Sequence, residues 1–150
     1  MAQKPASKLY TPKLLSLATQ LADFPLDKGF AFNAQGRSRT CGSTIDLGVD
    51  LDNEGRVVRL GMQVSACAIG QSSAAVMALG AKGRLPSEIS VTKNAIEAWL
   101  AGQSEQGISL PDWPKLEALE PALEHKGRHD ALLLAWTAMT QALSTTQSSR

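Results

Sequence analysis

The chain has 150 residues, of which 43% are hydrophobic and 19% are charged. This length and composition are typical of one globular domain, so we expect a single domain over 1–150 with its core over about 9–143. Fifteen Lys and Arg residues stand against 14 Asp and Glu residues, a formal net charge of +1, which gives no reason to expect a nucleic acid or an anionic membrane as a partner.

The amino terminus and the cysteine content bear on the compartment. The first residues, MAQKPASKLYTPKLL, lack the apolar core of a signal peptide, and no run approaches the roughly 18 apolar residues of a membrane span. Two cysteines are too few for the disulfide framework of a secreted mini-domain. We therefore expect a cytoplasmic protein whose cysteines are buried, reactive or metal-bound.

The first predicted element is an amphipathic helix over 9–22, which ends before Pro25. Its apolar residues recur at helical spacing: Leu9, Leu14, Leu15, Leu17, Ala18 and Leu21. We expect this helix to cover one face of a sheet.

Strands follow the first helix. Residues 29–34 suggest a short strand, and strict alternation of apolar and polar residues over 44–51 predicts a half-buried one. Residues 52–55, Asp-Asn-Glu-Gly, are a turn signal, and alternation resumes over 58–64. We expect a hairpin, extended to about three antiparallel strands by residues 29–34.

Helical spacing then replaces alternation. We expect helices from Cys67 to a cap at Gly83, over Ser87–Ala101, over a short segment with Leu116, Leu119 and Leu123, and over 132–143. Residues 103–113 suggest a loop, and 1–8 and 144–150 suggest polar tails. Strands followed by at least three helices predict an α+β fold.

The two cysteines flank the predicted hairpin. Cys67 opens a helix, where unpaired backbone N–H groups and the helix dipole favour a thiolate. Cys41 precedes the first strand of the hairpin and is followed by Gly42. Since 41 and 67 are similarly distant from the turn, we expect both thiols at one edge of the sheet, where they can share a ligand.

The residues 40–84, TCGSTIDLGVDLDNEGRVVRLGMQVSACAIGQSSAAVMALGAKGR, resemble the core of the iron–sulfur cluster assembly scaffolds of the IscU/NifU/SufU type. In that family a Cys-Gly-Asp loop opens a strand hairpin and a second cysteine opens the next helix. The resemblance implies a non-enzymatic scaffold that binds iron or a nascent [2Fe–2S] cluster through Cys41 and Cys67. It also implies a cysteine desulfurase as sulfur donor and apo iron–sulfur proteins as recipients.

Two positions depart from the family pattern. The aspartate of Cys-Gly-Asp is Ser43 here, and the family's third cysteine aligns with Ala131, immediately after His129 and Asp130. Serine is a poor ligand for a cluster that needs four anionic or imidazole donors. His129 or Asp130 is therefore a candidate additional ligand.

Two other functions remain open from the sequence. Cys41, Cys67 and either His129 or Asp130 suit zinc, as in a SufU-like sulfur acceptor that holds a persulfide-accepting thiolate on the metal. A degenerate scaffold would instead act as a metal-free interaction subunit.

Two surface features have weaker interpretations. Residues 110–115, LPDWPK, are similar to a chaperone-recognition motif of the family but lie upstream of its usual position. Arg37, Arg39, Arg56 and Arg59 suit either an acidic partner or a solvated strand face.

Overall fold

The computed structural model describes residues 9–27, 29–102 and 110–148. It confirms the predicted α+β fold, with three antiparallel strands in the order β1-β2-β3 and helices that precede and follow them. The strands are β1 (Phe32–Arg37), β2 (Thr44–Leu51) and β3 (Val57–Ser65), and the helices are α1 (Pro12–Thr19), α2 (Ala68–Ala81), α3 (Pro86–Leu100) and α4 (His129–Ser148). Short 3-10 segments lie at Gln20–Asp23, Leu116–Ala122 and Lys126–Arg128.

The predicted β2–β3 hairpin is confirmed. Its turn is held by Asp52, whose carboxylate accepts the N–H groups of Glu54 and Arg56 at 2.9 and 3.0 Å. Gly55 takes the left-handed conformation, with φ of 83°, that favours glycine. The turn sets a register in which Thr44 pairs with Ser65 at the far end of the hairpin.

The first strand runs over Phe32–Arg37 rather than 29–34. The side chain of Phe30 packs over the backbone of Gly48, and the N–H of Ala31 donates to the Asp50 carboxylate at 2.7 Å instead of joining the ladder. These tertiary contacts move the start of β1 toward Phe32. They could not be read from the short apolar run.

The helix boundaries differ modestly from expectation. Thr11 caps α1, so the helix begins at Pro12 rather than Leu9. The segment Leu116–Ala122 is a 3-10 helix with Pro121 inside it. Helix α4 is longer than predicted and begins at His129. The expected polar tail over 144–150 is wrong for 144–148, which belong to α4. Residues 1–8 and 149–150, and most of the expected loop, fall outside the described residues.

The core lies between the inner face of the sheet and the helices. Ile45, Leu47 and Val49 of β2 are buried at alternate positions. Helix α2 is buried on nearly all sides, since it packs against α1, α4 and β3. None of the helices within the described ranges is long and apolar enough to cross a membrane.

Buried serines join α2 to its neighbours. Ser72 donates to the carbonyl of Leu14 in α1, and Ser73 donates to the carbonyl of Leu132 in α4, both at 2.6 Å. The indole N–H of Trp136 in turn donates to Ser73 Oγ at 3.0 Å. The hydroxyl of Ser73 therefore fixes the start of α4 against α2.

A Ser73→Ala variant tests this connection. It leaves the fully buried indole N–H of Trp136 without its acceptor, so we expect the free energy of unfolding to fall by about 2 kcal/mol. Urea unfolding measures the change. Ser144→Ala is the control, because its exposed hydroxyl bonds only within α4 and its loss should cost less than about 0.5 kcal/mol. Equal losses in the two variants would contradict a special role for Ser73.

Candidate functional site

The two cysteines lie at the same end of the sheet. Thr44 and Ser65 are paired across β2 and β3, and Cys41 precedes Thr44 by three residues while Cys67 follows Ser65 by two. The register of the hairpin therefore places both cysteines at this end of the sheet. Each is free rather than disulfide-bonded.

Cys67 is the N-cap residue of α2. Its backbone is extended, with φ of −67° and ψ of 173°, and its carbonyl accepts the first helical bond from Gln71 N at 3.0 Å. The half-buried thiol makes no capping hydrogen bond. Cys67 therefore occupies the position at the start of the helix that the sequence predicts.

Cys41 lies in the loop 38–43 between β1 and β2, and its side chain is exposed. Its sulfur lies 3.4 Å from Ser38 Oγ and 2.9 Å from Ser43 Oγ, and both serines are buried. Hydrogen bonds between Cys41 and the Ser38 side chain, the Ser43 side chain and the Ser43 backbone lower the pKa of Cys41 below its ordinary value. Desolvation and the nearby Asp130 charge act in the opposite direction on this pKa, but with smaller effect.

The backbone of this loop closes on itself. Ser38 N donates to Ser43 O at 2.8 Å, which extends the β1–β2 ladder, and Gly42 N donates to Ser38 O at 3.2 Å. Gly42 has a φ of 73°, which explains the glycine after Cys41. The closed loop presents the thiol outward with its two serine partners beneath it.

The two candidate ligands at the start of α4, His129 and Asp130, contact different parts of the structure. Asp130 is exposed, and its Oδ2 accepts a hydrogen bond from Thr40 of the Cys41 loop at 3.2 Å. The Nε2 of His129 instead lies 3.1 and 3.0 Å from the carbonyl oxygens of Ala122 and Leu123, so this nitrogen carries a proton and is turned toward the 3-10 segment. The structure brings Asp130, but not the Nε2 of His129, to the Cys41 loop.

Ala131 is buried where α4 meets the first turn of α2. A Cβ atom on Gly70 would lie 3.3 Å from the carbonyl oxygen of Ala131 and 3.5 Å from its Cβ. The position that aligns with the family's third cysteine therefore lies against the helix that Cys67 begins, but it carries a methyl group.

Within the described ranges, no group of three His, Cys, Asp or Glu side chains is placed to hold a metal ion. Two thiols and one carboxylate are present at this end of the fold, yet they do not form a finished three-ligand site.

Sequence reasoning did not identify Ser38 and Thr40 as parts of the site. Both carry hydroxyls within hydrogen-bond distance of one another, 3.3 Å apart, and connect the Cys41 sulfur to Asp130. The signal was the hydroxyl-rich run SRTCGST, in which the cysteine is surrounded by serine and threonine.

The four arginines of the sequence analysis fall into two pairs. Arg59 forms an ion pair with Asp50 at 2.8 Å, and Arg56 lies 3.9 Å from Glu88. Arg37, at the end of β1, and Arg39, within the Cys41 loop, are exposed and have no ion pair with any described carboxylate. Two positive charges are therefore left for solvent or a partner beside the thiol.

The LPDWPK segment, residues 110–115, contributes a buried tryptophan to the fold. Trp113 is buried, its indole N–H donates to the Val76 carbonyl at 2.8 Å, and its ring packs against the backbone of Gly80. The ring also makes an edge contact with Trp136, with the ring centroids 4.9 Å apart. Its tryptophan is therefore part of the core of the fold.

The hydrogen bonds at Cys41 predict an acid-shifted alkylation profile. In a Cys67→Ala protein, Cys41 is the sole thiol, and we expect the midpoint of its reaction with iodoacetamide against pH to lie below that of an unperturbed cysteine in a short peptide. Ser38→Ala and Ser43→Ala each remove a bond that stabilises the thiolate, so each should raise the midpoint and slow the reaction at neutral pH.

Ser65→Ala is the matched control for this profile, since Ser65 is an exposed serine at the same end of the sheet without a bond to Cys41. A midpoint that is the same in all of these variants would overturn the assigned cause of the pKa shift.

Comparison with known proteins places the fold. No protein-family model matches the sequence, and no curated protein matches it significantly. Among solved structures, the chain is similar to a nitrogen-fixing NifU-like protein (N-terminal) from Brucella abortus, with 23% identity, a TM-score of 0.85 and coverage of 96% of this chain and 98% of that one.

A second similar structure is a putative iron–sulfur cluster assembly scaffold protein for the SUF system from Fervidobacterium islandicum. It shares 17% identity over 93% of this chain and 99% of that chain, with a TM-score of 0.80. A hypothetical protein of 19% identity matches less closely, with a TM-score of 0.63 over 87% and 96% of the two chains. The chain therefore has the fold of the NifU-like and SUF-system iron–sulfur scaffolds, as the sequence resemblance predicts.

Proposed function

We propose that this protein is a carrier in iron–sulfur cluster assembly rather than an enzyme. It accepts sulfur from a cysteine desulfurase at Cys41 and holds iron or a nascent [2Fe–2S] cluster through Cys41 and Cys67. It then passes the cargo to apo iron–sulfur proteins in the cytoplasm. The observation that carries the proposal is an exposed thiol with a lowered pKa at the end of the sheet where a second thiol begins a helix.

The sulfur step is a persulfide exchange. The Cys41 thiolate attacks the outer sulfur of the donor's persulfide, a new sulfur–sulfur bond forms at Cys41, and the donor's own sulfur leaves as a thiolate. No external oxidant is needed, because one persulfide bond replaces another. A thiolate that is exposed and stabilised by hydrogen bonds is the species that this exchange requires.

The cargo step needs more donors than this chain supplies at one place. A [2Fe–2S] cluster takes four ligands, and the family's ligand positions carry Ser43 and Ala131 here. Cys41, Cys67 and Asp130 supply two sulfurs and one carboxylate at this end of the fold. We therefore propose that a partner supplies the donors that complete the coordination of the iron.

Zinc is the alternative cargo, and Cys41, Cys67 and Asp130 are donors of the kinds that zinc accepts. Two thiolates and a carboxylate are accepted zinc ligands, and a fourth position would remain open to an incoming persulfide. In that case the chain is a SufU-like sulfur acceptor. A chain that takes up neither metal nor sulfur would be a metal-free interaction subunit.

Sulfur uptake is the first test. After incubation with a SUF-system cysteine desulfurase and free cysteine, intact-protein mass spectrometry should detect the addition of sulfur to the wild type. Cys41→Ala should abolish the addition, whereas Cys67→Ala should retain most of it, because only Cys41 is both exposed and activated by the two serines. Equal uptake by Cys41→Ala and wild type would contradict the proposal.

Metal and acid-labile sulfide analysis of the anaerobically purified protein distinguishes the cargoes. Iron with sulfide, lost in both Cys41→Ala and Cys67→Ala, supports the scaffold. Zinc alone, lost in the same variants, supports the zinc-bound acceptor. An absence of both metals, after reconstitution with iron, sulfide and the desulfurase, would leave the interaction subunit.

A further inference from the structure

The loop that carries Cys41 is joined to the helices by one side-chain bond. Residues 39–42 are exposed, and the backbone bonds of Ser38 and Gly42 close the loop only on itself. Across the part of the chain that the structure describes, the bond from Thr40 Oγ1 to Asp130 Oδ2, at 3.2 Å, is the one hydrogen bond that links this loop to a helix.

The bond connects two segments that bear thiols. Asp130 lies in the first turn of α4, and the next residue, Ala131, packs against Gly70 in the first turn of α2, which begins after Cys67. On the other side, Thr40 Oγ1 lies 3.3 Å from Ser38 Oγ, which is 3.4 Å from the Cys41 sulfur. Thr40 therefore lies at the only described polar link between the Cys41 loop and the helical framework that fixes Cys67.

We propose that Thr40 is a positioning residue, whose hydroxyl ties the Cys41 loop to Asp130 and so sets where the Cys41 thiol stands relative to helices α2 and α4. A carboxylate only accepts hydrogen bonds, so the threonine hydroxyl must donate, and a side chain without a hydroxyl cannot replace it. The sulfur-transfer consequence rests on the proposed function, but the tie itself does not.

The loss of this tie should loosen the loop without unfolding the protein. The core contacts of Ser38 and Ser43 remain, so the loop can still close, but it opens more often. A hydrogen bond of ordinary net strength corresponds to a change of about fivefold in such an opening equilibrium.

The test compares Thr40→Val, which removes the hydroxyl at nearly constant shape, with Thr40→Ser, which keeps it. Hydrogen exchange of the Gly42 amide, whose bond to Ser38 O reports loop closure, should accelerate about fivefold in Thr40→Val and return to within about twofold of wild type in Thr40→Ser. Thr140→Val is the matched control, because its hydroxyl bonds only to Thr137 O within α4.

A double-variant cycle shows whether Thr40 acts through Asp130. In an Asp130→Ala background, Thr40→Val should accelerate the exchange of the Gly42 amide much less than it does in the wild type, and the remainder comes from the lost contact with Ser38 Oγ. Fully additive effects of the two substitutions would overturn the tie. So would an unchanged exchange rate in Thr40→Val, or equal acceleration in Thr40→Val and Thr40→Ser.

The same variants report on sulfur transfer. With the SUF-system desulfurase, we expect Thr40→Val to lower the maximal rate of persulfide formation at Cys41 several-fold with little change in the half-saturating concentration, and Thr40→Ser to restore it. A wild-type rate in Thr40→Val would overturn the positioning role. If the wild type itself accepts no sulfur, the proposed function fails, and amide exchange alone then decides whether Thr40 holds the loop.

Discussion

The contact between the first turns of α2 and α4 is the constraint on which the site depends. Gly70 lets the backbone of α4 approach at Ala131, and the buried Ser73 hydroxyl bonds both the Leu132 carbonyl and the Trp136 indole. Because these contacts are buried and fully hydrogen-bonded, they fix the start of α4 beside the start of α2. This packing sets the positions of Asp130 and Cys67.

The sheet supplies the other half of the site. The register of β2 with β3 places Thr44 beside Ser65, so the loop before β2 and the helix after β3 begin at one end of the fold. The hairpin turn lies at the opposite end, where the Asp52 carboxylate and Gly55 set that register. A slip of one residue in the hairpin would bury polar side chains and expose Ile45, Leu47 and Val49, so the placement of the thiols is protected by the core itself.

The chemistry of the site differs from that of a complete cluster scaffold at two positions. Ser43 lies where the family has an aspartate ligand, and it is buried with its hydroxyl on the Cys41 sulfur rather than open to a metal. Ala131 places a methyl group where the family has a thiol. Relative to the family pattern, both positions lack a metal donor, and the Ser43 hydroxyl instead lies 2.9 Å from the Cys41 sulfur.

Much of the fold could be predicted from the sequence, because the spacing of the apolar residues shows which face of a helix or strand is buried. The alternation over 44–51 and 58–64, the turn at 52–55 and the helix that begins after Cys67 depend on local patterns, and the structure has them at nearly the predicted residues. The start of β1 depends on the long-range contacts of Phe30 and Ala31, and the pattern alone did not reveal it. The pattern also did not distinguish the 3-10 form of Leu116–Ala122 from an α-helix.

For the site, the sequence by itself determined that the two cysteines lie at one edge of the sheet. Residues 41 and 67 are similarly distant from the turn at 52–55, so an antiparallel hairpin brings them to the same end. Only the tertiary structure decided which of two adjacent residues at the start of α4 approaches that edge. Neighbouring residues of a helix point about 100° apart, so a helix that is fixed by buried contacts brings one of them to the loop and turns the other away. Here Asp130 reaches Thr40, whereas the Nε2 of His129 faces the carbonyls of Ala122 and Leu123.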